Sequence, residues 1–355
     1  MAGRWHGRSV FVTGHTGFKG SWLSLWLNRM GAEVHGYALD PNTDPSLFQV
    51  AQVASVLASD MRADLANFDR LKLSLAQTRP EVIFHLAAQP LVRESYRDPL
   101  GTFATNVMGT ANLLEASRGI DSIRAIVVIT TDKVYLNDES GRPYSESDAL
   151  GGRDPYSASK AAAEIVVSSY RSSFFSKEPK PHVATARAGN VIGGGDWAPD
   201  RLIPDCLRSF AEGNPVCLRY PAAVRPWQHV LEPLSGYLSL ADHLLRPDGG
   251  ACAEAWNFGP DLADDVSVGD VVLALARIWG NGAKAELCPS QENPHEAALL
   301  SLDSSHARGK LDWTPRWSLM QALRETVVWQ RRWIEGADMR VVCEEQIDSY
   351  VAASK

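Results

Sequence analysis

The 355-residue chain lacks the features that would send it to a membrane, to nucleic acid or into a disulfide scaffold. No stretch approaches the roughly 18 consecutive apolar residues that a membrane span needs. The start, Met1 to Arg8, has basic residues but no apolar signal core behind it. Basic residues are outnumbered, with 35 Lys and Arg against 42 Asp and Glu, a formal charge of −7 that argues against a nucleic-acid surface. The five cysteines, at 206, 217, 252, 288 and 343, form no C-x-x-C pair and no metal spacing. They read as reduced thiols of a cytoplasmic protein, and no metal site is expected. Internal repeats, low-complexity tracts and long charge runs are also missing. What remains is a length and a 45% hydrophobic content sufficient for one large core or two unequal ones.

Two motifs carry most of the information. Val10-Phe11-Val12-Thr13-Gly14-His15-Thr16-Gly17-Phe18-Lys19-Gly20 is a short apolar strand breaking into a Gly-x-x-Gly-x-x-Gly turn before a helical pattern. Such a turn lets a dinucleotide's pyrophosphate sit against backbone N–H groups at a helix N-terminus. Far downstream, Tyr156-Ser157-Ala158-Ser159-Lys160 places a phenol and an ammonium one helical turn apart on a shared face. A neighbouring ammonium favours the phenolate. Either motif alone is weak; their order and separation together point to hydride chemistry at a carbinol carbon.

Between the motifs, strand-like runs alternate with helical patterns. The expected strands are Ser9–Thr13, Glu33–Ala38, Val56–Ala58, Glu81–Leu86, Arg124–Ile129 and His182–Arg187. Their continuous apolar character suits strands covered on both faces. The helical patterns fall at Gly20–Arg29, Asn67–Gln77, Gly101–Arg118 and Tyr156–Tyr170. The fold class is therefore α/β, a Rossmann-type parallel sheet of six or seven strands with helices on both faces. Beyond residue 190 the texture changes: eight of the eleven tryptophans lie there, and Pro and Gly punctuate the chain more heavily. That half reads as a smaller mixed C-terminal substrate lobe. The expected division is a dinucleotide-binding domain over 1–190, with 225–258 returning to it, and a lobe made of 191–224 and 259–350.

Cofactor positions follow from the fold. Gly14, Gly17 and Gly20 are where backbone approaches phosphate or helix packs on sheet, and Phe18 lies within the same turn. His15 and Lys19 could add charge there or face solvent. Asp40, after the second strand, is placed to accept hydrogen bonds from the adenosine ribose. With no Arg or Lys between Met30 and Arg62, a carboxylate there favours NAD over NADP. Asp64 and Leu65 are positioned for the adenine. Leu86, Ala87, Ala88 and Gln89 close the fourth strand where the cofactor would pass.

Extended stretches then point to a family. They are His15–Leu23, His85–Gln89, Thr105-Asn106, Thr130–Tyr135, Tyr156–Lys160, Arg187–Trp197, Arg225–Val230 and Trp256–Gly259. Together they resemble the extended short-chain dehydrogenase/reductase family, the group of nucleotide-sugar epimerases and dehydratases. The wording is most similar to its 4,6-dehydratases, with CDP-glucose as the implied substrate and deoxysugar or O-antigen precursor synthesis as the implied setting. The resemblance implies NAD as a retained cofactor, with Thr105 and Thr130 added to its contacts. It implies Tyr156 and Lys160 as the oxidation pair, Thr131 as a hydroxyl partner, and Asp132 as the acid for the departing 6-hydroxyl. In many such dehydratases a Glu follows that Asp and removes the C5 proton; here Lys133 stands in its place. For substrate the implied positions are Asn190 and Arg225 at the diphosphate, with Arg93, Ser95 and Arg201 as further candidates and His295 beside the base or sugar. A homodimer built by packing two helices from each subunit, or a dimer of dimers, is also implied. The competing readings are a sugar-nucleotide 4-epimerase, a dehydratase for another nucleotide glucose, and a non-catalytic NAD sensor.

Overall fold

A computed structural model describes residues 2–176, 181–218, 220–287 and 299–353. Strands β1 (Ser9–Thr13), β2 (Glu33–Ala38), β3 (Ser59–Arg62), β4 (Val82–His85), β5 (Ala125–Ile129), β6 (His182–Arg187) and β7 (Ala255–Asn257) form one sheet in the order β7-β6-β5-β4-β1-β2-β3. Every pairing in it is parallel. The strand order reverses between β1 and β4, and a ligand crevice belongs outside the carboxyl ends at that point.

Side-chain alternation explains why the sheet is covered twice. Val10 and Val12, Val82 and Phe84, and Val127 point into one apolar cluster. Phe11, Ile83, Ile126 and Val128 point into another on the opposite face. The first cluster is completed by the helices Phe18–Arg29, Leu231–Leu244 and Met339–Ala352, the second by Phe68–Thr78, Gly109–Ser117 and Pro155–Phe174.

Three expected boundaries moved. The third strand lies at Ser59–Arg62, because Val53–Val56 forms a 3-10 turn after Gln52, whose φ is 50°. The pattern over 101–118 is a helix at Pro99–Phe103, a π turn at Ala104–Met108 and a second helix at Gly109–Ser117. The loop helix begins at Phe18, so the last three residues of the glycine motif are already its first turn.

The lobe has its own apolar cluster, including Ile203, Leu207, Phe210, Val271, Leu275 and Leu323. Short pairings stitch it together: Val191–Ile192 with Gln228–His229, Val224–Pro226 with Asp265–Ser267, and Val216–Leu218 with Ala285–Leu287. The C-terminal helix Met339–Ala352, assigned to the lobe from sequence, packs on the Phe18–Arg29 helix beneath the sheet, with Tyr350 edge-on to Trp26. The reading of every cysteine as a reduced thiol fails at Cys217, which is disulfide-bonded, whereas Cys206, Cys252 and Cys343 are free. Spacing along the chain does not reveal which segments folding brings together. Among the described residues no helix is long and apolar enough to cross a membrane, and no group of His, Cys, Asp or Glu could hold a metal ion.

Candidate active site

Gly14 adopts φ +76°, and a Cβ on it would stand 2.6 Å from the Ala87 nitrogen. Its backbone is pinned from both sides, donating to Tyr37 O (2.9 Å) and accepting from Gly17 N (3.0 Å). Gly20 packs against the Gly14 carbonyl so tightly that any side chain would collide with it. Gly17 caps the helix with no side-chain hydrogen bond, and the first turn holds no acidic residue. The positive end of that helix, with half-buried Lys19 in its first turn, suits the pyrophosphate of a dinucleotide. Burial pulls the Lys19 pKa down to about 8, with Arg201 lowering it further and Asp132 opposing. Phe18 borders Gly193, where a Cβ would stand 3.3 Å from its ring and 2.9 Å from Val230.

His15 neither faces solvent nor brings a favoured charge to the loop. Its ring is fully buried against Gly36, Nε2 meets Asp60 Oδ1 at 2.8 Å, and desolvation lowers its pKa. The setting of Asp40 also differs from expectation. Its carboxylate is exposed, yet Arg62 Nη1 lies 3.3 Å from Oδ1. The parallel pairing of β3 with β2 brings this cation in from the next strand. Arg62 is itself held by Asp60 through two bonds of 2.7 and 2.8 Å.

The remaining cofactor candidates line the same sheet edge. Asp64 is exposed and accepts from Ala66 N (2.8 Å), while Leu65 is buried against Gly109. Leu86, Ala87 and Ala88 are half-buried after β4, where Leu86 N bonds Thr13 O. The Gln89 side chain is spent on its own loop, donating to Thr102 (2.8 Å) and accepting from Leu91 N (2.6 Å). Thr105 is half-buried within the π turn.

Three consecutive residues at the end of β5 meet three residues of the Pro155–Phe174 helix, each one turn from the next. Thr131 hydrogen-bonds the Tyr156 phenol, Ile129 O accepts from Lys160 Nζ (3.1 Å), and Thr130 donates to Glu164 (2.5 Å). Asp154 caps that helix through Ser157 N (2.9 Å), with Pro155 in the first turn. The expected lowering of the Tyr156 pKa by Lys160 does not appear: burial pushes the phenol up to about 12, its hydrogen bond with Thr131 opposing this and the Asp132 charge adding to it. Lys160 points to the Ile129 carbonyl, and burial draws its own pKa down to about 8 against the raising effect of Glu164. Asp132 is buried, with Oδ1 accepting from Thr131 (2.9 Å) and Oδ2 left without a partner.

Tyr156, Thr131, Asp132, Lys133 and Lys19 line a cavity of about 330 Å³ that runs into the lobe. Lys133 also lines a smaller adjoining cavity of about 60 Å³, together with Asp154, Ser157 and Arg225. Of the substrate candidates, Arg93, Asn190, Arg201 and Arg225 reach the large cavity. Arg201 is held by Asp196 (2.7 Å) and Arg93 by Asp200 (3.2 Å). Ser95 does not reach it: the residue is buried, and its hydroxyl turns back to Val92 O (2.6 Å). His295 lies outside the described residues.

Sequence reasoning missed several contributors. Asn106 bonds Gln89 N (2.9 Å) and Ser159 Oγ (2.8 Å), tying the cofactor edge to the tyrosine helix. Asp196 and Asp200 orient the two lobe arginines, and both lie in the Gly- and turn-rich Val191–Asp200 stretch. Chemically, a phenol with a hydroxyl partner, a buried carboxyl with one open oxygen and an ammonium beside it equip the cavity for proton transfers on a polyol ligand.

The chain is similar over its length to known nucleotide-sugar enzymes. The chain is 49% identical to the CDP-glucose 4,6-dehydratase of Salmonella typhimurium over 354 residues, 99% of this chain and 98% of that one. It is 28% identical to the UDP-glucose 4-epimerase of Mycolicibacterium smegmatis, over 90% of this chain and 97% of that one. In fold it is similar to a dTDP-glucose 4,6-dehydratase double mutant from Streptomyces venezuelae solved with NAD bound. That match has a TM-score of 0.78 at 24% identity and covers 93% of this chain and 99% of that one. The UDP-glucose 4-epimerase of Thermotoga maritima aligns with a TM-score of 0.79 at 21% identity, over 92% and 99% of the two chains. A model of the GDP-mannose 4,6 dehydratase family matches residues 11–326, and the chain belongs to that family of extended short-chain dehydrogenases/reductases.

Proposed function

We propose that the protein is an NAD-dependent hydro-lyase that converts CDP-glucose to its 4-keto-6-deoxy sugar. The observation that carries this reading is the convergence of Tyr156, Thr131, Asp132 and Lys133 on one cavity below the glycine loop, in a chain 49% identical end to end to a CDP-glucose 4,6-dehydratase. An epimerase shares the phenol and the lysine but needs no elimination of the 6-hydroxyl, and the epimerase relatives match at lower identity. When bound, NAD supplies the hydride acceptor for C4 and the donor for C6, ending as it began.

The chain's own groups handle the protons. Tyr156, in its phenolate form, takes the 4-hydroxyl proton, and Thr131 hydrogen-bonds the same oxygen. The 4-ketone acidifies the C5 hydrogen. Asp132, through its open Oδ2, is the acid that gives a proton to the 6-hydroxyl, which departs as water. Lys133 serves the C5 side, taking the proton as an amine or, as an ammonium, stabilising the enolate while another group takes the proton. Asn190, Arg225, Arg201 and Arg93 hold the substrate diphosphate, arginine by bidentate bonds to phosphate oxygens. The dinucleotide lies on residues 1–190 with 225–258 returning to them, the sugar nucleotide on 191–224 and 259–350.

The setting proposed is cytoplasmic deoxysugar synthesis for polysaccharides such as O-antigen, with the protein as a homodimer or dimer of dimers. The test incubates the purified protein with CDP-, dTDP-, GDP- and UDP-glucose and follows the 4-keto-6-deoxy product. Fastest turnover of CDP-glucose is expected; interconversion of glucose and galactose at C4 without loss of water would overturn the reading.

A further inference from the structure

The buried pair Glu164–Arg187 sits directly behind the acid segment. Both side chains are 4% exposed, and the pairing is bidentate: Arg187 Nε to Oε1 at 2.9 Å and Nη2 to Oε2 at 3.0 Å. Glu164 takes two more donors, Thr130 (2.5 Å) and Thr185 (2.7 Å), so every lone-pair direction of its carboxylate is used. Arg187 has one nitrogen to spare and sends it to the Tyr135 hydroxyl (2.9 Å), with its guanidinium 5.0 Å from the Tyr135 ring centre. Tyr135 is held in turn by Asn257 (2.6 Å) at the end of β7.

Thr130 and Tyr135 are the residues just before and just after Thr131–Val134, the segment that bears Asp132 and Lys133. Glu164 stands one turn beyond Lys160 and two beyond Tyr156 on the same helix face. We propose that the Glu164–Arg187 pair is a positioning element, fixing both ends of the acid segment against the helix that carries Tyr156 and Lys160. The proposal rests on the dehydration reading for the chemistry it serves. A buried ion pair is weak evidence for stability as such, and its retention behind four reacting groups is accounted for by placement.

The same carboxylate is the negative charge that acts on Lys160. The other groups that feel that ammonium are Lys19 from the loop helix and His85 from β4, while Tyr156 lies one turn before it on its own helix; burial keeps His85 neutral, with a pKa of about 3. Glu164 raises the Lys160 pKa, so removing its charge moves loss of the ammonium to lower pH.

The test compares parent, Glu164→Gln and the double variant Glu164→Gln/Arg187→Met, which removes both charges and leaves no unpaired ion if the single variant fails to fold. Protein labelled with [ε-13C]lysine is titrated by NMR without substrate, the Lys160 signal being assigned against Lys160→Arg. The midpoint is expected to fall by about one unit in either variant. In turnover, kcat is expected to fall about 100-fold with KM nearly unchanged, the signature of misplaced reacting groups in a folded site. A folded double variant with the parent's kcat and an unmoved Lys160 midpoint overturns the proposal. A shifted midpoint in a protein whose parent dehydrates no nucleotide sugar supports the control of Lys160 and overturns the dehydration reading instead.

Discussion

Gly189 leaves open the space that the Asp132 carboxylate fills: a Cβ on it would collide with Oδ2. Asp132 is buried and its Oδ1 is tied to Thr131, so a side chain at 189 must displace the open Oδ2. Gly189→Ala is therefore expected to turn the acid away while leaving the sheet intact, since Gly189 lies beyond the end of β6. A loss of about 100-fold in kcat is expected, with thermal stability within a few degrees of the parent. Turnover at the parent rate would show that Asp132 tolerates displacement and is not the elimination acid.

Tyr156→Phe removes the only phenol spaced to Lys160 on that helix face, and the Thr131 hydroxyl cannot replace it as a proton acceptor. The loss of such a group costs about two to four orders of magnitude. Stopped-flow absorbance at the reduced-cofactor band should show no oxidation of C4 on the parent's time scale. Near-normal formation of reduced cofactor would remove Tyr156 from the first step.

What the sequence made legible was whatever depends on local pattern. β1, β2 and β6 begin and end where their apolar runs do, and the glycine turn and the Tyr-Lys spacing lead to the crevice at the sheet's carboxyl edge. β3 was misplaced because it is an edge strand of sequence Ser-Asp-Met-Arg, with no buried residue to announce it. The inward turn of His15, the approach of Arg62 to Asp40 and the retreat of Ser95 all depend on neighbours far along the chain. The Tyr156 pKa could not be read either: a helical spacing reports which charges are near, but the burial that dominates is a property of the packed cavity.

A second buried acid gives a prediction about stability. Glu232 is fully buried, accepting from Tyr350 (2.6 Å) and from the backbone N–H groups of Arg316 and Trp317 (3.1 and 2.8 Å). Desolvation outweighs these bonds and raises its pKa from 4.5 to about 7. The native state thus holds a proton that the unfolded chain releases, so this stabilisation is complete below about pH 4.5 and is lost as pH rises toward 7. Glu232→Gln, which mimics the protonated form, lacks that slope. The melting temperature of the parent relative to this variant should decline between pH 5 and about 7. A constant difference across the range would show that the Tyr350 and backbone donors hold the carboxylate ionised.

The proposed dimer has a visible surface. Leu100 (82% exposed), Met108 (57%) and Ile165 (60%) lie on the 99–108 segment and the tyrosine helix that packs beside it, an apolar patch of the kind that marks an interface. Light scattering at micromolar concentration should give a mass of at least twice 38.8 kDa. Leu100→Lys with Ile165→Lys should reduce it to one copy. A monomeric parent would exclude the assembly.

The sharpest division falls between Asp132 and Lys133, neighbours with different tasks. Asp132→Asn keeps the size and the bond from Thr131 but has no proton to give a leaving hydroxyl. It should oxidise C4 and then stall, so that reduced cofactor, visible by its near-ultraviolet absorbance, accumulates on the enzyme. Lys133→Met should stall at the same stage and also slow exchange of the C5 hydrogen with solvent deuterium, because either role for the lysine, base or enolate partner, acts before water leaves. Stalling in both variants with C5 exchange lost only at Lys133→Met would assign the two protons separately. Product release by Asp132→Asn at the parent rate would place the acid elsewhere. Unchanged exchange in Lys133→Met would return that lysine to a structural place between the two cavities it lines.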